Sequence, residues 1–142
     1  MKDLRPSIHE NEFVYLSLSP DLLEATGPWR AFAQLHEVEG VTLVVTAEDA
    51  RSRGFEDTPA FRCITLGVHS ALEEVGLTAA VSGVLARHGI AANILAGFHH
   101  DHVLVPAERG DEALELLRKL SDKAACYALA RPVAGSNSET EE

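Results

Sequence analysis

The second half of the chain sets the tightest limit on what it can fold into, because its apolar residues change period in a fixed order. Phe61 to Val68 alternates, with Ile64, Leu66 and Val68 on one face, which predicts a strand. Leu77, Val81, Val84 or Leu85, and His88 then recur at helical spacing, and Gly89 suits the left-handed position past a helix end. Ile90 to Phe98 reads as extended. His99 to His102 is polar and suits a hairpin connection, Val103 to Val105 is extended again, and Pro106 stops it. Ala113, Leu116, Leu117 and Leu120 mark a second helix, whose stripe can continue through Ala124 and Tyr127. The order β, α, β, β, α is most of a split βαβ, or ferredoxin-like, unit. Its missing last strand can come from the first half of the chain. The strands are apolar on both faces and two helices cover only one. The other face needs the N-terminal half or a second subunit, so a homodimer is expected.

The first half is less regular. Phe13 to Leu18 alternates, with Phe13 and Tyr15 on one face and Val14, Leu16 and Leu18 on the other. Pro20 suits the first position of a short helical turn capped by Ser19. Pro28 to about Val38 reads as a helix with Trp29, Phe32, Ala33 and His36 along one side, ended by Gly40. That stripe either lines a pocket or, more simply, is core. Val41 to Val45 is a β-branched run, and Thr46-Ala47-Glu48-Asp49 looks like a capping box before a short helix to about Arg53. Gly54 to Pro59 is a linker-like turn. These boundaries divide the chain into 1–60, 61–130 and a disordered acidic tail, 131–142.

Charge narrows the partners. The formal net charge is −10, and the three terminal glutamates account for part of it. Without them about −7 remains, which disfavours a nucleic-acid partner. Apolar residues make up 46% of the chain, enough for a real core, but no run is long enough to span a membrane. No signal-peptide pattern opens the sequence. Cys63 and Cys126 cannot form a disulfide framework. Both sit among apolar residues, so both read as structural, in a reduced cytoplasmic setting.

Two segments carry a specific resemblance. They are Val68-His69-Ser70-Ala71-Leu72-Glu73-Glu74-Val75-Gly76-Leu77-Thr78-Ala79-Ala80 and Ala96-Gly97-Phe98-His99-His100-Asp101-His102-Val103-Leu104-Val105-Pro106. With Glu39-Gly40-Val41-Thr42-Leu43-Val44-Val45 upstream, they are similar to three ordered motifs of small bacterial ACT-domain proteins, over about residues 9 to 120. Wider relatives include the ACT repeats of aspartate kinases and of eukaryotic cytosolic arginine sensors. Phe98-His99 stands where the family has two tyrosines, and Ala91-Ala92-Asn93 where it has a more polar segment. The resemblance implies an α+β, ferredoxin-like (βαββαβ) ACT-type sandwich with two ACT-like halves in tandem. It also implies amino-acid sensing and dimeric assembly.

The resemblance puts a ligand at Leu72, Glu73, Val75, Gly76, Leu77 and Thr78, paired with Asn93 on the strand after the first helix. The chemistry fits. A first helical turn presents free N–H groups that favour a carboxylate, Gly76 permits close approach, and Thr78 offers a hydroxyl. Asp101 or Glu73 can accept from an α-ammonium. The plainer alternative is that Ser70 and Gly76 shape a turn and Asn93 faces solvent.

His99, His100 and His102, with Asp101 among them, are candidate metal ligands. Neighbours on a strand point to opposite faces, so no more than two converge unaided, and His69 or His9 would help only if the fold brought them near. A polar turn is the simpler reading, and no metal or cofactor is expected. No G-x-S-x-G, P-loop or dinucleotide fingerprint is present, so no enzyme is expected. The leading expectation is a regulatory module binding an amino acid or similar metabolite. A ligand-independent assembly module and a His/Asp metal-binding protein are the alternatives.

Overall fold

The computed structural model describes residues 3–68 and 75–130, with residues 123–130 as backbone only. The chain runs β1 (Pro6–Leu18), α1 (Pro20–Thr26), β2 (Ala33–His36), β3 (Val41–Thr46), α2 (Ala47–Ser52), β4 (Phe61–Leu66), α3 (Leu77–Arg87), β5 (Asn93–Ala96), β6 (Asp101–Pro106) and α4 (Gly110–Ala130). The six strands form one sheet in the order β2-β3-β1-β4-β6-β5, with every neighbouring pair antiparallel.

Two strands serve both halves. Along β1, Phe13–Leu18 pairs with Thr46–Val41 of β3. Further back, Pro6, Ser7 and Ile8 pair with Leu66, Thr65 and Ile64 of β4. A register shift between Ile8 and Glu12 joins these segments, and Glu12 and Phe13 stand opposite Arg62 and Phe61. The N-terminal βαββα run is therefore closed by the start of β4, and the C-terminal run by the start of β1. Each half is a ferredoxin-like unit whose last strand belongs to the other. The missing strand of the second half comes from the first, as expected.

Alternation sorts the core. Val14, Leu16, Leu18, Val41, Leu43 and Val45 pack with Ala47 and Ala50 of α2. Ile64, Leu66, Val103 and Val105 pack against α3 and α4 through Val81, Leu85, Ala113 and Leu117, among others. Each fully buried Leu or Val contributes about 1.5–3 kcal/mol of apolar burial. Because Glu12 opposes Arg62, these residues all share one face, and the helices lie on it. The opposite face buries Phe13, Val44, Cys63 and Leu104, flanked by Tyr15, Phe32, Ala33, Phe61 and Leu95. The N-terminal half does not cover that face. It continues the same sheet sideways.

The helix expected over Pro28 to Val38 is absent. Ala33–His36 instead forms edge strand β2 against Val44–Val41. The Trp29, Phe32, His36 spacing imitated a helical stripe. In the structure Trp29 joins the helix-side cluster, while Phe32 joins the other face. The Phe32 N–H donates to the Val44 carbonyl at 2.7 Å, which starts the hairpin ladder. Gly40 turns it at φ 153°, where an added Cβ would meet the Leu18 carbonyl oxygen at 2.8 Å. The expected caps are present: Ser19 accepts from the Leu22 N–H and Thr46 from the Asp49 N–H, each at 3.2 Å. The polar connection before β6 is shorter than expected, since Asp101 and His102 already belong to the strand.

Candidate functional site

The path from β4 to α3 forms one end of the second half. The N–H groups of Gly67 and Val68 donate to the carbonyls of Arg5 and Leu4 at 3.0 and 3.3 Å, prolonging the β1–β4 ladder. Leu72 and Glu73, with Ser70 before them, lie outside the described residues. Gly76 enters α3 at φ 97°, a left-handed conformation that suits glycine, and as the N-cap residue it offers no side-chain cap. Val75 is exposed, Leu77 anchors the helix in the core, and Thr78 is exposed at the first turn. First-turn N–H groups carry partial positive charge and favour an anionic group.

Asp101 begins β6 opposite Ala96, next to His102, which opposes Thr65 of β4. It is a buried charged residue, 6% exposed. Alternation puts its side chain on the helix face, at the end of β4 from which the chain leaves for α3. Asp101 therefore shares a face and an end of the sheet with residues 75–78. Asn93 does not. It opposes Leu104, on the other face and at the other end of the β5–β6 hairpin. There it lines a cavity of about 370 Å³ with Tyr15, Thr58, Pro59 and Phe61. The Tyr15 hydroxyl is buried with no hydrogen-bond partner among the described residues. Burial, and then the neighbouring Cys63, push its pKa up. Sequence reasoning singled out Asn93 but missed Tyr15, whose only signal was its alternation with Phe13.

The histidine run does not converge. The His99 ring meets Phe98 edge-on, and His100 Nδ1 lies 3.2 Å from the Val68 carbonyl oxygen. His102 points to the helix-free face, away from Asp101. Its Nδ1 is 2.8 Å from Thr65 Oγ1, which is itself 2.7 Å from His9 Nε2. Burial first, then His9 and His100, hold the His102 pKa below the ordinary imidazole value, and Asp101 works the other way. Cys63 is fully buried on the same face, and burial pushes its thiol up to about 11. The side chain of Cys126 lies outside the described residues. Among the described residues, no helix is long and apolar enough to cross a membrane.

Comparison with known proteins agrees with this geometry. Two family profiles described as ACT domain match the chain, one over residues 1–62 and the other over 60–119. No curated protein matches. Among solved structures, a Vibrio cholerae protein of unknown function, described as a possible transport protein, is 39% identical. That match covers 82% of this chain and 88% of the other, with a TM-score of 0.72. The ligand-free regulatory subunit of aspartate kinase from Thermus thermophilus is 11% identical over 84% of this chain and 99% of its own, with a TM-score of 0.60. Escherichia coli aspartokinase III, in complex with aspartate and ADP, is 13% identical over 81% of this chain and 32% of its own, with a TM-score of 0.59.

Proposed function

From the premise that this chain belongs to the ACT-domain family, with both halves matched, we propose that it is a non-enzymatic regulatory protein binding an amino acid or similar small metabolite. ACT domains are regulatory rather than catalytic and typically bind amino acids. The observation that carries the reading is the fusion of two ferredoxin-like units through β1 and β4, because a ligand at either unit then acts on strands that both share.

The proposed site is the start of α3. The first-turn N–H groups beyond Gly76 would take the carboxylate, Thr78 would add a hydroxyl, and Asp101 would accept from the ammonium. Leu72, Glu73, Val75 and Leu77 would complete its wall. Asn93 would serve a ligand only from the opposite face, beside Tyr15. Binding would shift an equilibrium between states of a homodimer or a partner through differential affinity. A thermal-shift screen of the standard amino acids at millimolar concentration tests this, since saturating binding must raise stability. At least one should raise the Tm of the wild type and lose that effect in Asp101→Ala. A flat screen would sink the reading.

A ligand-independent assembly module is the second reading. It is favoured by the helix-free face, where Tyr15, Phe32 and Phe61 flank the buried residues and no covering layer occurs among the described residues. Light scattering separates the two: a dimer indifferent to every metabolite supports assembly alone.

A further inference from the structure

We propose that His9, Cys63 and His102 form a binding site for one transition-metal ion of the zinc class, held on the helix-free face by three different strands. Their potential ligand atoms all lie within 4.8 Å of one another, and no other such group occurs among the described residues. This site is separate from the start of α3 and does not depend on the metabolite reading.

The placement follows from the sheet. Cys63 and Thr65 alternate on one face of β4, and the register sets His102 of β6 directly opposite Thr65. His9 enters from β1, immediately after Ile8, where the register with β4 shifts. A bulged strand re-aims its side chains, and here the ring is brought over Thr65. His9 Nε2 and His102 Nδ1 both converge on Thr65 Oγ1, at 2.7 and 2.8 Å. Phe32 roofs both rings edge-on, with centroids 5.8 Å from His9 and 5.0 Å from His102. The site is thus a pair of imidazole nitrogens and a sulfur beneath an aromatic cover.

The donor set selects the ion. Two imidazoles and a thiolate suit Zn²⁺ and its softer neighbours, whereas Mg²⁺ and Ca²⁺ require oxygen ligands. Bonds of about 2.0–2.1 Å to nitrogen and about 2.3 Å to sulfur put tetrahedral donors roughly 3.3–3.7 Å apart. The side chains must therefore close by about 1 Å from their outer limit, within the reach of imidazole torsions. Thr65 would turn its hydroxyl aside or take the fourth position, which otherwise stays open. Thiol deprotonation would release one proton to solvent on binding. The ion would tie β1 to β4 and β6, pinning the N-terminal segment that closes the second half.

The full-length protein is loaded with zinc and dialysed, then its metal content is measured, and cobalt is substituted to read the ligands optically. We expect one ion per chain, with a sulfur-to-cobalt charge-transfer band. Cys63→Ser should abolish the band. His9→Ala and His102→Ala should each weaken binding by at least about tenfold, while His99→Ala leaves it unchanged. The proposal falls if the wild type retains no ion at micromolar free zinc. It also falls if the band survives in Cys63→Ser, or if cobalt binds through surface histidines alone with no band. Should Cys63→Ser fail to fold by circular dichroism, chelator competition on His9→Ala decides the question, and wild-type affinity in that variant overturns the site.

Discussion

Phe13 of β1 stands directly opposite Phe61 of β4. This pair marks the crossing point of the two halves. Here β1 is paired on both sides at once, with Phe61 of β4 and with Thr46 of β3; toward Leu18 it runs beside β3 and toward Pro6 beside β4. Both rings lie on the helix-free face, and Tyr15 meets Phe61 edge-on at 5.2 Å. A protein built this way divides poorly.

Residues 61–142 expressed alone should therefore fail to fold cooperatively. They lose Pro6–Ile8, the fourth strand, and leave β4 as an unpaired edge beside an apolar face. Circular dichroism melting and size-exclusion chromatography should show no sharp transition and an aggregated species. A monomer with a steep melt would disprove the shared-strand account.

Ser121 fastens the N-terminus to α4. Its buried hydroxyl accepts from the Leu4 N–H at 2.9 Å and donates to the Asp3 carboxylate. Ser121→Ala strands a buried N–H, which costs about 1–3 kcal/mol. Urea denaturation should show that loss with an unchanged slope, and an unaltered midpoint would refute the role given to the hydroxyl.

Asp3 gives stability an acid-side dependence. The Ser121 hydroxyl, then the Arg5 N–H, lower its pKa from the usual value; desolvation opposes them and the Arg5 charge assists. A group with a depressed folded-state pKa stabilises fully above its unfolded pKa, near 3.9. That contribution is lost as pH falls through the lower, folded value. Asp3→Asn should flatten this part of the stability curve below about pH 4 and leave the neutral region's slope untouched. Identical acid profiles for the two proteins would remove Asp3 from the account.

Two glycines with positive φ should respond differently to alanine. At Gly40 a Cβ meets the Leu18 carbonyl oxygen at 2.8 Å, whereas at Gly54 nothing lies within 4 Å. Gly54→Ala should cost about 1 kcal/mol of left-handed strain. Gly40→Ala should cost several times that, because a backbone atom must move as well. Equal Tm losses in the two variants would contradict this reading of the hairpin.

Tyr15→Phe should be neutral or stabilising in the free protein. The hydroxyl it removes is buried without a partner among the described residues, so no bond is lost and a desolvation penalty of about 1–3 kcal/mol is relieved. A marked drop in Tm would mean that the hydroxyl has a partner after all.

Much of the architecture was legible in the residues because it is local. A helix declares itself by a period its own backbone imposes: Val81 and Leu85 are buried where the spacing put them, and Gly89 adopts the left-handed conformation past the end. The Ser19 and Thr46 caps bond within three residues of themselves. Alternation also separated Phe13 and Tyr15 from Val14, Leu16 and Leu18. The same local reasoning failed at Ala33–His36, where a four-residue edge strand is held by its ladder to β3 and has no strong period of its own.

What no local pattern could decide was register, which arises from pairing between distant segments. The sequence could nominate Asn93 and Asp101 for one site, yet their pairings with Leu104 and Ala96 send them to opposite faces. It could show four polar residues from His99 to His102, yet only the sheet turns His102 from that run toward His9. The sequence by itself determined the βαββα order of the second half and the positions of its core residues, since periodicity and capping act over a few residues, while the first half was paired with it only through its family resemblance. The exchange of β1 and β4 between the two halves, and the meeting of His9, Cys63 and His102, were decided by the tertiary structure, where a register shift in one long strand carries the first residues of the chain across to the second half.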